Sequence, residues 1–204
     1  MSLFSPARFC FRIILAVGVL YAGTHILQER YGDTGAPAPA PPAAGASARS
    51  GAVPAGSQAA VVVRVVDGDT IEAVPRTRGP LPLGESATVR LLEIDTPETK
   101  KPRSPVACGG PAASAFTARL LPPGTPVALV PDRERTDRYG RALRYVYTQR
   151  AMVNLQIVRA GYARPLLVQP NDAHIGQVRK AARRARLEQR GMWATCRDPF
   201  SAGG

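Results

Sequence analysis

This sequence has only one long apolar run, three cysteines, two histidines and few acidic residues. The single apolar run lies near the N-terminus and excludes a multi-span membrane protein, since each span needs about 20 apolar residues. The histidines do not cluster with the cysteines, which argues against a zinc site. The length of 204 residues fits one folded domain with extensions and excludes two large domains. Apolar runs in the second half exclude a wholly disordered chain.

Basic side chains outnumber acidic ones, with 27 Lys and Arg against 15 Asp and Glu, for a formal net charge of +12. Residues 61–204 carry 23 of the basic and 13 of the acidic side chains, so +10 of the charge lies there. A strongly basic folded region favours a polyanionic partner, most often nucleic acid. A basic surface that is merely solvated is the alternative that composition leaves open.

The N-terminal segment, residues 1–32, has the pattern of an export signal. Arg8 and Arg12 precede the apolar run at residues 13–23, as in a secretory signal peptide. The segment could also persist as an uncleaved hydrophobic anchor helix if the Arg12 side chain reaches the membrane interface. Both alternatives predict that the rest of the chain faces away from the cytoplasm, because the positive charge precedes the run.

Residues 33–60 are rich in alanine, proline, glycine and serine and cannot build a core. They predict a disordered linker that is stiffer where proline is dense. Residues 61–204 are then the folded domain. We expect a monomer without an obligate protein partner, with membrane contact only through an uncleaved N-terminal segment.

Within the domain, short apolar strands alternate with helices. The predicted strands cover residues 61–66, 71–74, 87–94, 125–130 and 142–147, and the predicted helices cover residues 111–121, 152–160 and about 172–189. An Asp-Gly pair between the first two strands is a strong hairpin signal. Five short strands with about three helices predict an α+β fold, a five-stranded OB-fold β-barrel with helical additions.

Several carboxylates lie at turns and strand ends. Asp67 and Asp69 flank the glycine of the predicted hairpin, and Asp95 ends a different strand. If the barrel brings these strands together, Asp69 and Asp95 could share a hard cation, because Ca²⁺ prefers oxygen ligands. Turn formation alone also explains an Asp-Gly-Asp sequence. Glu98 follows Pro97, whose ring would restrict where the glutamate points.

Two arginines have unusual positions. Arg90 interrupts an apolar strand, and a side chain directed into the fold there would need an anionic partner. Strand alternation could equally place it in solvent. Arg141 follows Tyr139 and Gly140 at the start of another strand. Planar guanidinium groups bind phosphate oxygens through paired hydrogen bonds, so both arginines are candidate phosphate ligands.

Together these residues resemble the staphylococcal nuclease (thermonuclease) family. The resemblance rests on Asp-Gly-Asp-Thr at residues 67–70, Arg-Leu-Leu-Glu-Ile-Asp-Thr-Pro-Glu-Thr at residues 90–99 and Arg-Thr-Asp-Arg-Tyr-Gly-Arg at residues 135–141. Residues 110–117 and 152–154 also look like helices of that family. The resemblance covers about residues 61–193 and leaves out the N-terminal segment and the linker.

The resemblance implies an OB-fold nuclease that uses calcium to hydrolyse DNA and RNA and leaves 3′-phosphate ends. The metal ligands carried over by motif are the side chains of Asp69 and Asp95 and the carbonyl of Thr96. The catalytic residues carried over are Arg90, Glu98 and Arg141, with Glu98 as general base or water-positioning group. Supporting or nucleotide-binding roles fall to Asp67, Arg138 and Tyr139. A binding module of the same fold without turnover is the alternative.

Two features depart from the family pattern. Where the family often presents tyrosines for base stacking, residues 164–170 contain no aromatic residue, so we expect weaker substrate binding or a different end preference. The pair Cys108 and Cys196 is also outside the best-known pattern. In an exported protein two such cysteines commonly form a disulfide, although two buried thiols are the alternative; Cys10 lies in the apolar N-terminal segment.

Overall fold

The computed structural model describes residues 54–99, 106–149 and 151–201. The predictions for residues 1–32 and for most of the linker therefore lie outside the described residues. In the three described ranges, no helix has both the length and the apolar character that a membrane span requires.

Five strands close into a barrel in the order β1-β2-β3-β6-β5. All neighbouring pairs are antiparallel except β3 and β6, which are parallel. A separate short ladder joins β4 to β7. The strands are β1 Gln58–Asp67, β2 Thr70–Pro75, β3 Ala87–Leu91, β4 Ile94–Asp95, β5 Pro126–Val130, β6 Ala142–Tyr147 and β7 Arg164–Pro165. This closed mixed barrel confirms the predicted OB-fold.

The predicted hairpin between β1 and β2 is present, with Asp67 paired to Thr70 across its turn. Gly68 lies so close to a neighbouring loop that an added Cβ would come 2.7 Å from Thr96 Oγ1. The hydroxyl of Thr117 donates a 2.6 Å hydrogen bond to the Gly68 carbonyl. The glycine therefore allows the turn and its two aspartates to pack directly on the loop after β4.

The third predicted strand was wrong in one respect, because it does not continue to Ile94. Strand β3 ends at Leu91, and Leu92 and Glu93 form a turn in which Glu93 has φ 62°. The Leu92 N–H donates instead to the Arg144 carbonyl, at 3.0 Å. The chain thus changes direction between Arg90 and Asp95, and this bend brings the two residues together.

The described residues form three helices outside the barrel, as predicted, and a single turn of helix follows near the C-terminus. They are α1 Gly110–Leu120, α2 Val153–Arg159, α3 Ile175–Leu187 and the short α4 Met192–Thr195. Helix α3 begins later than the predicted residue 172. Helix α2 buries five of its seven residues in the core. Helix α3 packs on α2 through Val178, Ala182 and Ala185.

Cys108 and Cys196 face each other across the start of α1. Their sulfur atoms lie 2.10 Å apart and their Cα atoms 6.0 Å apart. The tail after Cys196 lies against the same region, where the Gly109 N–H donates to the Pro199 carbonyl at 3.3 Å. The pair therefore joins two segments that are 88 residues apart in the chain.

We expect the double substitution Cys108→Ser/Cys196→Ser to lower the free energy of unfolding by about 4–5 kcal/mol, because a closed loop of this length restricts the unfolded chain. The measurement is urea denaturation of both proteins under oxidising conditions. Reduction of the unsubstituted protein with dithiothreitol is the control and should produce the same loss. Equal stability of the two oxidised proteins would contradict the prediction.

Candidate active site

Arg90 lies at the centre of a cluster of carboxylates and carbonyls. Its Nη2 is 3.1 Å from Asp69 Oδ2 and 3.5 Å from Asp95 Oδ1. Its Nη1 donates to the carbonyls of Leu91 and Ile94, at 2.8 and 2.9 Å. Only 11% of the Arg90 side chain is exposed. Of the two orientations that the sequence left open, the structure has the one directed toward anionic partners.

Asp69 is the most deeply buried carboxylate of this cluster. Its Oδ2 accepts hydrogen bonds from the Thr96 N–H at 2.8 Å and from the Thr96 hydroxyl at 3.1 Å. Burial raises the pKa of Asp69 above its usual value, and the charges of Asp95 and Asp67 raise it further. The Arg90 charge and the hydrogen bond from the Thr96 N–H lower the pKa but do not cancel this increase. Concentrated negative charge at a buried position is an environment that a bound cation would relieve.

Asp67 anchors the β1–β2 turn to its surroundings. Its Oδ1 accepts hydrogen bonds from the hydroxyls of Thr99 and Ser114, at 2.8 and 2.9 Å. Glu98 lies on the same loop as Thr99 and is exposed. The Glu98 carbonyl accepts a 3.0 Å hydrogen bond from the Ala107 N–H. The loop that carries Glu98 is thereby held against the hairpin that carries Asp69.

The predicted metal ligands are neighbours. Asp69 and Asp95 share the Arg90 guanidinium, and Thr96 is bonded to Asp69. Within the described part of the chain, no three His, Cys, Asp or Glu side chains form a group that could hold a metal ion. Two carboxylates with a backbone carbonyl are nevertheless the oxygen donors that a hard cation prefers, with water completing the shell. The donor set and the buried charge of Asp69 fit such a cation.

Residues 137–141 form a tight turn that presents Arg138, Tyr139 and Arg141. Asp137 holds the turn, because its Oδ1 accepts from the N–H groups of Tyr139 and Arg141, both at 2.9 Å, and its Oδ2 from Arg141 Nε at 2.7 Å. Burial acts to raise the pKa of Asp137, but the hydrogen bonds from Arg141 and Tyr139 outweigh it and the pKa lies below its usual value. Gly140 takes a positive φ of 79° to close the turn.

Both arginine side chains on this turn contact the ring of Tyr139. The Arg138 guanidinium lies over the Tyr139 ring, 4.8 Å from its centroid, and Arg141 lies 5.5 Å from the same centroid. Arg138 Nη2 also donates to the Tyr139 hydroxyl at 2.6 Å. Tyr139 is 68% exposed. The turn therefore offers a cationic and aromatic surface to solvent.

A cleft of ≈ 390 Å³ brings the predicted phosphate ligands together. Arg90, Arg138, Tyr139 and Arg141 line one part of it, and Leu166 and Val168 line another. Asp69, Asp95 and Thr96 do not line the cleft but are joined to it through Arg90. A phosphate in this cleft would thus meet three guanidinium groups next to the carboxylate pair.

Glu93, which lies in the turn between Arg90 and Asp95, was not predicted as a site residue. Glu93 is 4% exposed. Its Oε1 accepts hydrogen bonds from the Tyr145 hydroxyl at 2.5 Å and from the His174 backbone N–H at 2.8 Å. The Tyr145 hydroxyl is also 2.8 Å from Asp132 Oδ2. Burial and these two carboxylates raise the pKa of Tyr145. The sequence feature that could have predicted this role is a charged residue inside the otherwise apolar run at residues 91–94.

Arg164 was also missed as a site residue. It pairs with Asp95 across the β4–β7 ladder, and its Nε and Nη2 lie 2.9 and 2.8 Å from Asp95 Oδ2. Its guanidinium stacks on Phe200, 4.0 Å from the ring centroid. No local pattern predicts this contact, because the arginine and the aspartate are 69 residues apart.

Glu93→Leu should lower the free energy of unfolding by about 1–3 kcal/mol, because the His174 N–H loses its acceptor and the Tyr145 hydroxyl keeps only Asp132. Urea denaturation measures the effect. Glu93→Gln is the matched control, since the amide keeps an oxygen acceptor and should cost about half as much. If the leucine variant is as stable as the unsubstituted protein, the cost of burying the carboxylate equals the gain from its hydrogen bonds.

A closed OB-fold barrel with three arginines in a cleft beside a pair of carboxylates defines an OB-fold protein whose site is chemically suited to a phosphate and a hard cation. A family model described as staphylococcal nuclease homologue matches residues 88–195. The chain belongs to the staphylococcal nuclease family, as its motifs predicted.

Curated relatives cover most of the described domain. The thermonuclease of Staphylococcus intermedius is 39% identical over 133 residues, which are 65% of this chain and 74% of the relative. The thermonuclease of Staphylococcus hyicus is 36% identical over 140 residues, 69% of this chain and 78% of the relative. Endonuclease YncB of Bacillus subtilis (strain 168) is 36% identical over 132 residues, 64% of this chain and 59% of the relative.

Proposed function

We propose that this protein is a calcium-dependent nuclease that hydrolyses phosphodiester bonds of DNA and RNA and leaves 3′-phosphate ends. The observation that carries the proposal is the position of Arg90, which contacts both Asp69 and Asp95 and lines the cleft that contains Arg141. Relatives named as thermonucleases and an endonuclease support the reaction class.

The two arginines would bind the phosphate that is attacked. A phosphodiester is anionic and repels a nucleophile, and its charge grows as the fifth oxygen approaches phosphorus. Arg90 and Arg141 donate hydrogen bonds to this charge from positions that are already held by carbonyls and by Asp137. Donors that are oriented before the reaction stabilise the transition state most, because they need no reorganisation.

Glu98 would take the proton of the attacking water, or hold that water in position. It is exposed at the surface of a loop whose backbone is fixed by Ala107 and whose neighbours contact the carboxylate cluster. A carboxylate within hydrogen-bond reach of water serves as a general base as the oxygen attacks phosphorus. Protonated Glu98 can then return the proton to the leaving 5′ oxygen directly or through solvent.

Asp69, Asp95 and the Thr96 carbonyl would hold the calcium ion. When bound, the ion supplies positive charge that neutralises the phosphate and lowers the pKa of bound water. The protein's contribution is to keep the two carboxylates together, through Arg90 between them and through the Thr96 hydrogen bonds to Asp69. Arg164 also orients Asp95 from the β4–β7 ladder.

The base of the substrate would contact the aliphatic part of the cleft. Leu166 and Val168 are 39% and 55% exposed there. Aliphatic side chains can pack on a base but do not supply aromatic stacking, which is worth about 1–3 kcal/mol per base. Because the remaining contacts are to phosphate, the enzyme should cut with little dependence on sequence and with modest substrate affinity.

We also propose that the enzyme acts outside the cytoplasm. Residues 1–32 would serve as a signal peptide or membrane anchor. The linker from residue 33 would be a spacer that ends before Gln58, where strand β1 of the monomeric nuclease domain begins. The positive charge that precedes the apolar run supports this orientation. A disulfide between Cys108 and Cys196 would suit an oxidising compartment.

The test is degradation of linear and supercoiled DNA by the full-length chain with calcium, with magnesium and with a calcium chelator. We expect cutting with calcium only, products that carry 3′-phosphate by end-group analysis, and recovery when calcium exceeds the chelator. Cutting that persists with the chelator would contradict the metal requirement. A folded chain that binds DNA without cutting it would instead be a binding module.

A further inference from the structure

Helix α3 carries a cluster of cations outside the cleft. We propose that Arg179, Lys180 and Arg183 form a second nucleic-acid contact, which binds backbone phosphates of the strand beyond the nucleotide in the active site. The proposal rests on the proposed nuclease function for the identity of the ligand. It adds a surface that neither the cleft nor the carboxylate cluster includes.

The composition of α3 is strongly one-sided. Its 13 residues include five basic side chains and no acidic one, and all five basic side chains are exposed. The residues that α3 buries, Val178, Ala182 and Ala185, form a separate stripe along the helix that contains none of the cations. The helix therefore presents a cationic face to solvent, which is the electrostatic pattern of a phosphate-binding surface.

Only one of these five cations, Arg184, has an ion-pair partner within the described residues. Arg184 pairs with Glu188, and Arg186 lies over the Trp193 ring at 5.3 Å. Arg179, Lys180 and Arg183, by contrast, form no ion pair with any carboxylate in the described ranges of the chain. Their charge is thus available to an external anion.

The spacing of these cations suits a repeating anion. Arg179 and Arg183 are one helical turn apart, about 6 Å along the axis, and lie on the same face. Lys180 extends this surface to one side. Phosphates recur regularly along a nucleic-acid strand, so neighbouring phosphates can be bound by successive turns of the helix.

The helix starts at the edge of the cleft. His174, the residue before α3, donates its N–H to Glu93, and Glu93 and Asn171 both line the cleft. Arg179 follows His174 by five residues, about 7.5 Å along the helix axis. A strand that leaves the cleft past Asn171 and follows α3 would therefore meet the cationic face.

The face favours a polyphosphate over a lipid surface. A helix that lies on a membrane needs a broad apolar side next to its cationic side. On α3, Leu187 is the one large apolar side chain of high exposure within the described residues, and it lies at the C-terminal end. Charge complementarity without an apolar surface fits the phosphate backbone of a nucleic acid.

The test compares Arg179→Gln/Arg183→Gln with Arg76→Gln/Arg78→Gln in the full-length chain. The control pair removes the same charge from exposed positions that do not line the cleft. Binding to a fluorescent 40-nucleotide single strand and to a trinucleotide is measured by anisotropy between 50 and 200 mM salt, and hydrolysis of both is followed.

We expect the α3 variant to weaken binding of the 40-mer about five- to tenfold at the lower salt, with a smaller loss at the higher salt because salt weakens phosphate contacts. The negative slope of log K against log salt should become shallower by about 1.4, since each of the two lost phosphate contacts contributes about 0.7. Binding and hydrolysis of the trinucleotide should be unchanged, and the control pair should leave the slope unchanged.

Unchanged 40-mer binding by the α3 variant would overturn the proposal, as would an equal loss in the control pair. If the α3 variant loses binding to phosphatidylserine vesicles while its DNA binding is unchanged, the cationic face of α3 binds a membrane instead. If none of the proteins hydrolyses either substrate, the proposed nuclease function is contradicted. The anisotropy measurements still test the α3 contact, because they report binding and not hydrolysis.

Discussion

Replacing Arg90 by alanine is expected to lower kcat for DNA hydrolysis by about 10²–10³-fold, the usual effect of removing one oriented donor to a developing anion. Arg90 is expected to have this effect because its guanidinium lies between the carboxylate pair and the phosphate cleft. The measurement is initial-rate kinetics with linear DNA and saturating calcium. Arg141→Ala should show a comparable loss, since it removes the second guanidinium.

Arg90 also has a structural role, so stability must be measured beside activity. Its removal leaves Asp69 buried without its ion-pair partner, which typically costs about 3–5 kcal/mol. Arg90→Lys keeps the charge but not the planar fork, and it should recover part of the stability and little of the activity. A folded Arg90→Ala protein that retains a tenth or more of the original kcat would contradict the proposed role.

Replacing Glu98 by glutamine is expected to reduce kcat by about 10²–10⁴-fold, the range for loss of a general base. Because Glu98 is exposed, the free energy of unfolding should change by less than about 0.5 kcal/mol. The two effects together distinguish Glu98 from Arg90, which should affect both activity and stability. Initial rates and urea denaturation are measured on the same preparations.

Glu85→Gln is the matched control for Glu98→Gln, because Glu85 is an exposed glutamate in the loop before β3. It should leave both kcat and stability unchanged. If Glu98→Gln keeps kcat within threefold of the original, Glu98 is not the base.

The barrel could be predicted because its signals are local. Strand β6 was predicted with the bounds that it has, since all six of its residues are compatible with burial and it follows a turn. The Asp-Gly turn after residue 66 predicted the β1–β2 hairpin for the same reason. Alternation, turn residues and helix periodicity act over a few residues, so a reader of the sequence can recognise them.

The bend after β3 could not be predicted in this way. Residues 87–94 look like one strand, yet Glu93 adopts a positive φ and its carboxylate is buried against Tyr145 and His174. These partners lie 52 and 81 residues further along the chain. Propensity favoured a continuous strand, and long-range hydrogen bonds reversed that preference.

The family, the barrel and the residue types of the candidate site could be predicted from the sequence, because the three motifs and the strand pattern lie in consecutive residues. The contacts of Arg90 with Asp69 and Asp95, the pairing of Arg164 with Asp95 and the position of the start of α3 beside the cleft depend instead on how the chain folds. Strand register and chain direction set these contacts, and both depend on packing between segments that are far apart in sequence.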